Sequence, residues 1–211
     1  MANRQHLDRL HQCIDSWNQW RLACPEIVPD LSGADLSGLN LSRANLLLAN
    51  LAQACLSHTN LKGAFLSGAN LSDCQLDCSN LSKAHFLGAE LQNSNLSRAN
   101  LRGAILNGVF LEGANLKQAD LTGAHLVLAR LNGANLSRAT LDQAKLTRAT
   151  LTGANLSDAS LYAANLKAAV LDNVTFHHTT MPDGAVLKGS ARFSPPLCFV
   201  AAPKHWQPAM A

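Results

Sequence analysis

From Leu31 onward the chain repeats large apolar, small and polar positions with a period of five that never slips. A large apolar residue stands at 31, 36, 41, 46 and every fifth position to 176, and of these 30 centres 28 are Leu, the others being Phe86 and Phe176. Two residues before nearly every centre lies a small one, Ala in 22 of the 30, replaced elsewhere by residues such as Thr59, Cys74, Ser79, Ser94 and Val109. A spacing of two places Ala and Leu on one face of an extended segment and the residue between them on the other. The remaining two residues must turn the chain. The second of them is Gly at 33, 38, 63, 68 and several later pentads, as a tight corner favours. An α-helix would carry a five-residue pattern around all its faces and leave the Leu column unburied. Only a chain that bends once per pentad keeps every Leu inside.

The pentads Ala34-Asp35-Leu36-Ser37-Gly38, Ala44-Asn45-Leu46, Ala134-Asn135-Leu136-Ser137-Arg138 and Ala154-Asn155-Leu156-Ser157-Asp158 resemble the A(D/N)LXX units of the pentapeptide-repeat family, in the manner of its bacterial, often cyanobacterial members. The resemblance covers about 150 residues. It implies an all-β fold, a right-handed quadrilateral β-helix with four pentads per coil, hence about 7.5 coils, its interior filled by stacked Leu or Phe. At the roughly 4.8 Å spacing of hydrogen-bonded strands such a rod is about 36 Å long. Each coil leans only on its neighbours, and the open ends need caps to prevent edge-to-edge association.

Leu7, Leu10, Ile14, Trp17 and Leu22, with Trp20 close by, recur at helical spacing and stop before Pro25. They predict one amphipathic helix over 4–23 whose stripe covers the first Leu layer. The expected organisation is a capping helix in 1–28, the repeat solenoid in 29–181, and an irregular tail in 182–211. The exit is marked by Met181-Pro182-Asp183-Gly184, and the tail is rich in Pro beside Phe193, Phe199 and Trp206.

Composition narrows the function. Aromatics are only 5% of the chain, which suits a core of small aliphatic groups. The net charge is +3 and dispersed, without the Lys/Arg clustering that neutralises phosphates, so no nucleic-acid partner is expected. The polar N-terminus and the lack of a long apolar run predict no membrane partner. Cys13, Cys24, Cys55, Cys74, Cys78 and Cys198 are scattered without paired spacing and read as free thiols of a cytoplasmic protein. Cys74 and Cys78 occupy an inward and an outward position, which argues against a metal held between them. No cofactor and no catalytic residues are expected, because His and acidic side chains fall mostly at outward positions without a triad or dyad.

Four pentads per coil stack residues 20 apart, so the surface is legible in columns. Asn40, Asn60, Asn80 and Asn100, followed by Asp120, form one column, read as a structural amide ladder. Arg43, Lys62, Lys83 and Arg102 line the same face as a modest basic strip. The face centred on Leu46, Leu66, Phe86, Leu106, Leu126, Leu146 and Leu166 differs, because its outward positions carry Leu47, Leu48, Phe65, Leu87, Ile105, Val127 and Leu128 with His85 and His125 between them. An apolar stripe over several coils predicts a contact with a partner protein or with a second copy, as in a homodimer, unless corner packing or the tail covers it. The function expected is a non-enzymatic protein-interaction scaffold. Some members of the family act as DNA mimics that modulate DNA gyrase and confer quinolone resistance, which implies an alternative role. The acidic residues of the most acidic face, Asp30, Asp73, Glu90, Glu112 and Asp172, are sparse for that purpose, and Arg130 interrupts them.

Overall fold

The computed structural model describes residues 2–187 and 191–192. The chain winds into a right-handed four-sided β-helix behind an N-terminal pair of helices. Each coil meets the next through single-residue parallel bridges offset by 20: Asp30 to Asn50, Asp35 to Cys55, Asn40 to Asn60, Asn45 to Phe65, and so on to Ser160 with Thr180.

Along the rod four of the five amides of a pentad are taken by backbone carbonyls. In the first, Leu31 N–H donates to the Asn50 carbonyl at 2.7 Å and Gly33 N–H to Ala52 at 2.8 Å on the coil above, while Ala34 N–H closes the corner onto Leu31 at 3.1 Å. Asn50 N–H returns to Pro29 at 2.8 Å on the coil below. Where Asp or Asn precedes the centre, the fifth amide, on the residue after the centre, can be taken by that side chain: Ser32 N–H donates to Asp30 Oδ1 at 3.1 Å, and Ser72 to Asn70, Ser97 to Asn95, Ser137 to Asn135 and Ser157 to Asn155 do the same. This Asx turn is why Asp or Asn stands between the small residue and Leu. The last residue of each pentad takes positive φ, near +60°, whether it is Gly33 or a residue such as Arg43, Leu48 or His58.

The interior is built of stacked Leu rows, with Phe86 and Phe176 each taking a Leu place in a different row, all fully or nearly fully buried. Where Ala is replaced by a polar residue, the interior supplies an acceptor. Thr59 Oγ1 donates to the Leu36 carbonyl at 2.9 Å, Cys74 Sγ to Leu51 at 2.8 Å, and Ser79 and Ser94 to the Leu that opens their own corner.

The cap departs from the sequence reading in two respects. One helix is expected over 4–23, but the chain forms α1 (Arg4–Gln12) and α2 (Ile14–Ala23), broken at Cys13, whose backbone is extended and whose Sγ accepts Ser16 N–H at 3.3 Å. Leu22, assigned to the buried stripe, is 76% exposed. The buried side of α2 is Trp17 and Arg21, one helical turn apart, so position 22 is rotated toward solvent. Arg21 lies on the coil because the first coil presents carbonyls that no preceding coil covers. It donates to those of Ile27 and Leu47. Trp17 Nε1 donates to Asn45 O at 2.9 Å, Asn18 accepts from Asn45 N–H at 2.8 Å and donates to Arg43 O at 3.1 Å, and His6 Nδ1 accepts from Asp30 N–H at 3.0 Å. Side chains of the helices thus stand in for the missing coil.

At the other end the chain reverses. β1 (Thr175–Phe176) pairs antiparallel with β4 (Ala191–Arg192), and β2 (Thr179–Thr180) with β3 (Val186–Leu187). The beginning of the segment expected to be irregular therefore covers part of the last coil edge. The tail residues from 193 onward, Phe193, Phe199 and Trp206 included, lie outside the described residues.

Candidate functional site

The columns expected from the sequence are present. Phe65, His85, Ile105 and His125 follow one another through consecutive bridges, with Asn45 below and Lys145 above, so they share one face. Leu47, Leu87 and Val127 form the next column of that face, and Leu48 and Leu128 occupy its corner. Of the seven large hydrophobic residues exposed between 31 and 181, five fall here: Leu47 at 41%, Leu48 at 53%, Phe65 at 47%, Leu87 at 58% and Leu128 at 56%. The other two, Tyr162 and Val170, lie on different faces. His85, Ile105, His125 and Val127 are half-buried.

Three local contacts shape this face. The Phe65 and His85 rings tilt together with centroids 5.3 Å apart, each sheltering the other. Val127 N–H takes Asn107 Oδ1 at 3.1 Å, which fixes the neighbouring corner. Leu48 bends along the rod over Gly68, where a Cβ would lie 2.7 Å from its Cδ2. Corner packing therefore accounts for part of the Leu48 surface but not for Leu47, Phe65 or Leu87. Beyond His125 the same face turns basic, with Lys145 and Arg148 both exposed.

The remaining faces are polar. Asn60 donates to Asn40 at 3.0 Å and Asn80 to Asn60 at 3.3 Å, whereas the Asn100 oxygen accepts Arg102 N–H. On the basic strip Arg102 pairs with Asp120 at 3.1 Å. Hydrogen bonds to Thr122 and the Arg102 guanidinium hold the Asp120 carboxyl below the usual carboxylate range, although its desolvation, the largest single influence, opposes them. On the acidic face Glu112 is ion-paired with Arg130, whose guanidinium lies 5.2 Å from the Phe110 ring centroid. A cavity of about 280 Å³ opens between the break in the helices and the first coil, lined by residues including Leu10, Cys13, Ile14, Leu39 and Leu41. Cys74 is buried inside and Cys78 exposed outside, so the two thiols face opposite ways. Among the described residues no helix is long and apolar enough to cross a membrane.

The cap contacts of Asn18 and Arg21 are absent from the sequence reading. Their signal is weak, since two polar residues three apart beside a buried Trp look like ordinary helix surface.

A sequence profile of pentapeptide repeats matches in eight copies, through residues 30–68, 66–103, 94–133, 111–148 and 149–189. Among solved structures, QnrB1, a plasmid-mediated fluoroquinolone resistance protein (the M102R, trypsin-treated form), aligns with a TM-score of 0.55 at 18% identity, over 77% of this chain and 87% of that one. HetL, a pentapeptide repeat protein involved in heterocyst differentiation regulation in the cyanobacterium Nostoc sp. strain PCC 7120, aligns at 29% identity over 75% and 91% of the two chains, with a TM-score of 0.36. The pentapeptide repeat protein alr5209 of Nostoc PCC 7120 is 43% identical over 39% of this chain and 68% of its own, with a TM-score of 0.39. No curated protein matches in sequence.

Proposed function

This chain belongs to the pentapeptide-repeat family, and on that footing we propose that it is a non-enzymatic scaffold whose apolar face engages another protein surface, either a second copy of the chain or a different partner. The observation that carries the reading is the concentration of exposed large side chains on one face, Leu47, Phe65 and Leu87 above all. Single exposed hydrophobics are ordinary, but a row repeated coil after coil on a rigid rod offers a continuous apolar surface rimmed by polar residues. His85, Ile105, His125 and Val127 fill the centre of the contact, and Leu48 and Leu128 its corner edge. The five described cysteines are free, which supports a reducing, cytoplasmic setting.

Modulation of gyrase is the lesser reading. The likeness to QnrB1 is one of fold, and on the face such mimicry would use Glu112 is already neutralised by Arg130.

The test replaces Leu47, Phe65, Leu87 and Ile105 together with Ser. The variant keeps its far-ultraviolet circular dichroism and loses association in sedimentation velocity, while a photoreactive residue at position 87 of the otherwise native chain gives a discrete cross-linked adduct. Association that persists in the fourfold variant refutes the assignment of this face.

A further inference from the structure

We propose that His58, Asp77 and Cys78 form a Zn²⁺ site bridging two successive coils. Their potential ligand atoms, an imidazole nitrogen, a carboxylate oxygen and a thiol sulfur, all lie within 4.8 Å of one another. The placement follows from the register. His58 and Cys78 occupy the same corner column one coil apart, both at positive φ of 60° and 56°, and His58 N–H is bonded to the Asp77 carbonyl at 3.0 Å. The backbone therefore fixes the three positions before any metal arrives.

The surroundings suit a cation. Ser57 Oγ donates to Asp77 Oδ1 at 2.6 Å and orients the carboxylate, the role an outer-shell partner plays at a metal centre. Below His58 the column holds Gly38, which offers no side chain to crowd the site. Above Cys78 stands Arg98, whose Nε–H donates to Gln118 on the coil beyond at 3.2 Å. Among the described residues Asp77 has no ion-pair partner. A mixed nitrogen, oxygen and sulfur set selects zinc over the hard cations Mg²⁺ and Ca²⁺, which take oxygen ligands. With a neutral imidazole, a carboxylate and a thiolate the complex is uncharged, and the Cys78 thiol proton passes to solvent on binding. Water completes the tetrahedron.

A second cluster on the same edge, Asp158 with His177 and His178, marks the contrast. Its carboxylate already faces Arg138 Nε at 3.6 Å as well as His178 Nδ1 at 3.7 Å. A cation there would have to displace the guanidinium, so one site per chain is expected.

The site is tested on the full chain with Zn²⁺ in competition against a chromophoric chelator, and with Co²⁺ as the spectroscopic stand-in. The native chain binds one Co²⁺ with a thiolate-to-cobalt charge-transfer band, and Zn²⁺ displaces it and raises the melting temperature. Cys78→Gly, which suits the positive-φ corner, abolishes the band. His58→Gly and Asp77→Ser each weaken binding at least about tenfold, the least that loss of even an outer-shell partner costs, whereas Asp158→Ser changes nothing. Circular dichroism checks that each variant folds, and Cys78→Ser replaces Cys78→Gly if the latter does not. Failure of the native chain to bind Co²⁺ stoichiometrically, or a charge-transfer band that survives loss of Cys78, overturns the proposal.

Discussion

Truncating Trp17 should unravel one end of the rod and leave the rest intact. The side chain is fully buried between α2 and the first coil, and its Nε1–H closes the Asn45 carbonyl. A Trp buries about 150–250 Å², which at ~25 cal/mol per Å² is worth about 4–6 kcal/mol as an upper bound. Measured truncations of buried aromatics fall at about 3–5 kcal/mol. Trp17→Phe keeps most of the apolar contact and orphans only the Asn45 carbonyl, a loss of about 1–2 kcal/mol. In a compact globule either loss would lower protection everywhere. In a solenoid each coil touches only its neighbours, so the loss stays local. Native-state hydrogen exchange followed by mass spectrometry measures this directly. Amides of 31–48 in Trp17→Ala should exchange faster by about two to nearly four orders of magnitude, those of 111–151 should be unchanged, and Trp17→Phe should fall between. Uniform deprotection along the rod, or equal effects of Phe and Ala, would refute the argument that the cap acts as a surrogate coil.

Cys74 provides a pH test. Burial pushes its thiol up to about 12 from 9.0, so the folded state holds a proton that the unfolded chain releases. The resulting stability is intact below pH 9.0 and declines from there to about 12, with a slope of up to about 1.4 kcal/mol per pH unit. Cys74→Ala, which installs the residue preferred at that position, should flatten the alkaline limb of urea-denaturation stability relative to the native chain, and identical limbs would contradict the burial argument. Gly68→Ala and Gly88→Ala both place Ala at positive φ, but only the first meets a neighbour, Leu48. Each should cost about 1 kcal/mol, Gly68→Ala a few tenths more, and Leu48→Ala should erase the difference in a double-mutant cycle. A larger loss at Gly88 than at Gly68 would count against the Leu48 contact.

The Leu rows and the 20-residue register were legible because burial of one large residue per pentad has a single geometric solution. Phe65 and Ile105 therefore fall in the column where the sequence places them. The Asx turn was not legible in the same way, since Asn70 or Asn95 between two buried residues reads as surface until the amide of the following turn is seen to need an acceptor. The break at Cys13 was hidden because Leu10, Ile14 and Trp17 keep helical spacing across it. Leu22 was misplaced for a related reason: the first coil required a donor more than another apolar group, and Arg21 supplied it. The short strands at 186–187 and 191–192 were masked by the proline content farther along the tail. At the candidate contact face the columns were clear, but the half-burial of Ile105 and Val127 is a matter of side-chain conformation that the register alone does not give. The neighbourhood of His58 and Cys78 is hidden along the chain, where the near neighbour of Cys78 is Cys74, and emerges only across coils, where residues 20 apart meet.

The repeating backbone hydrogen bonds of the pentad set a rule for changes in length. Since those bonds are made within the unit or to its two axial neighbours, a block of five residues can be gained or lost without breaking the backbone pattern of the interior. Such an indel nevertheless swings everything downstream through a quarter turn, carrying Ile105 and Val127 away from Phe65 and Leu47. Only insertions or deletions of whole coils preserve the alignment of a face. Duplication in units of 20 residues is therefore the route by which a rod of this kind can lengthen while keeping what its surface has learned to recognise.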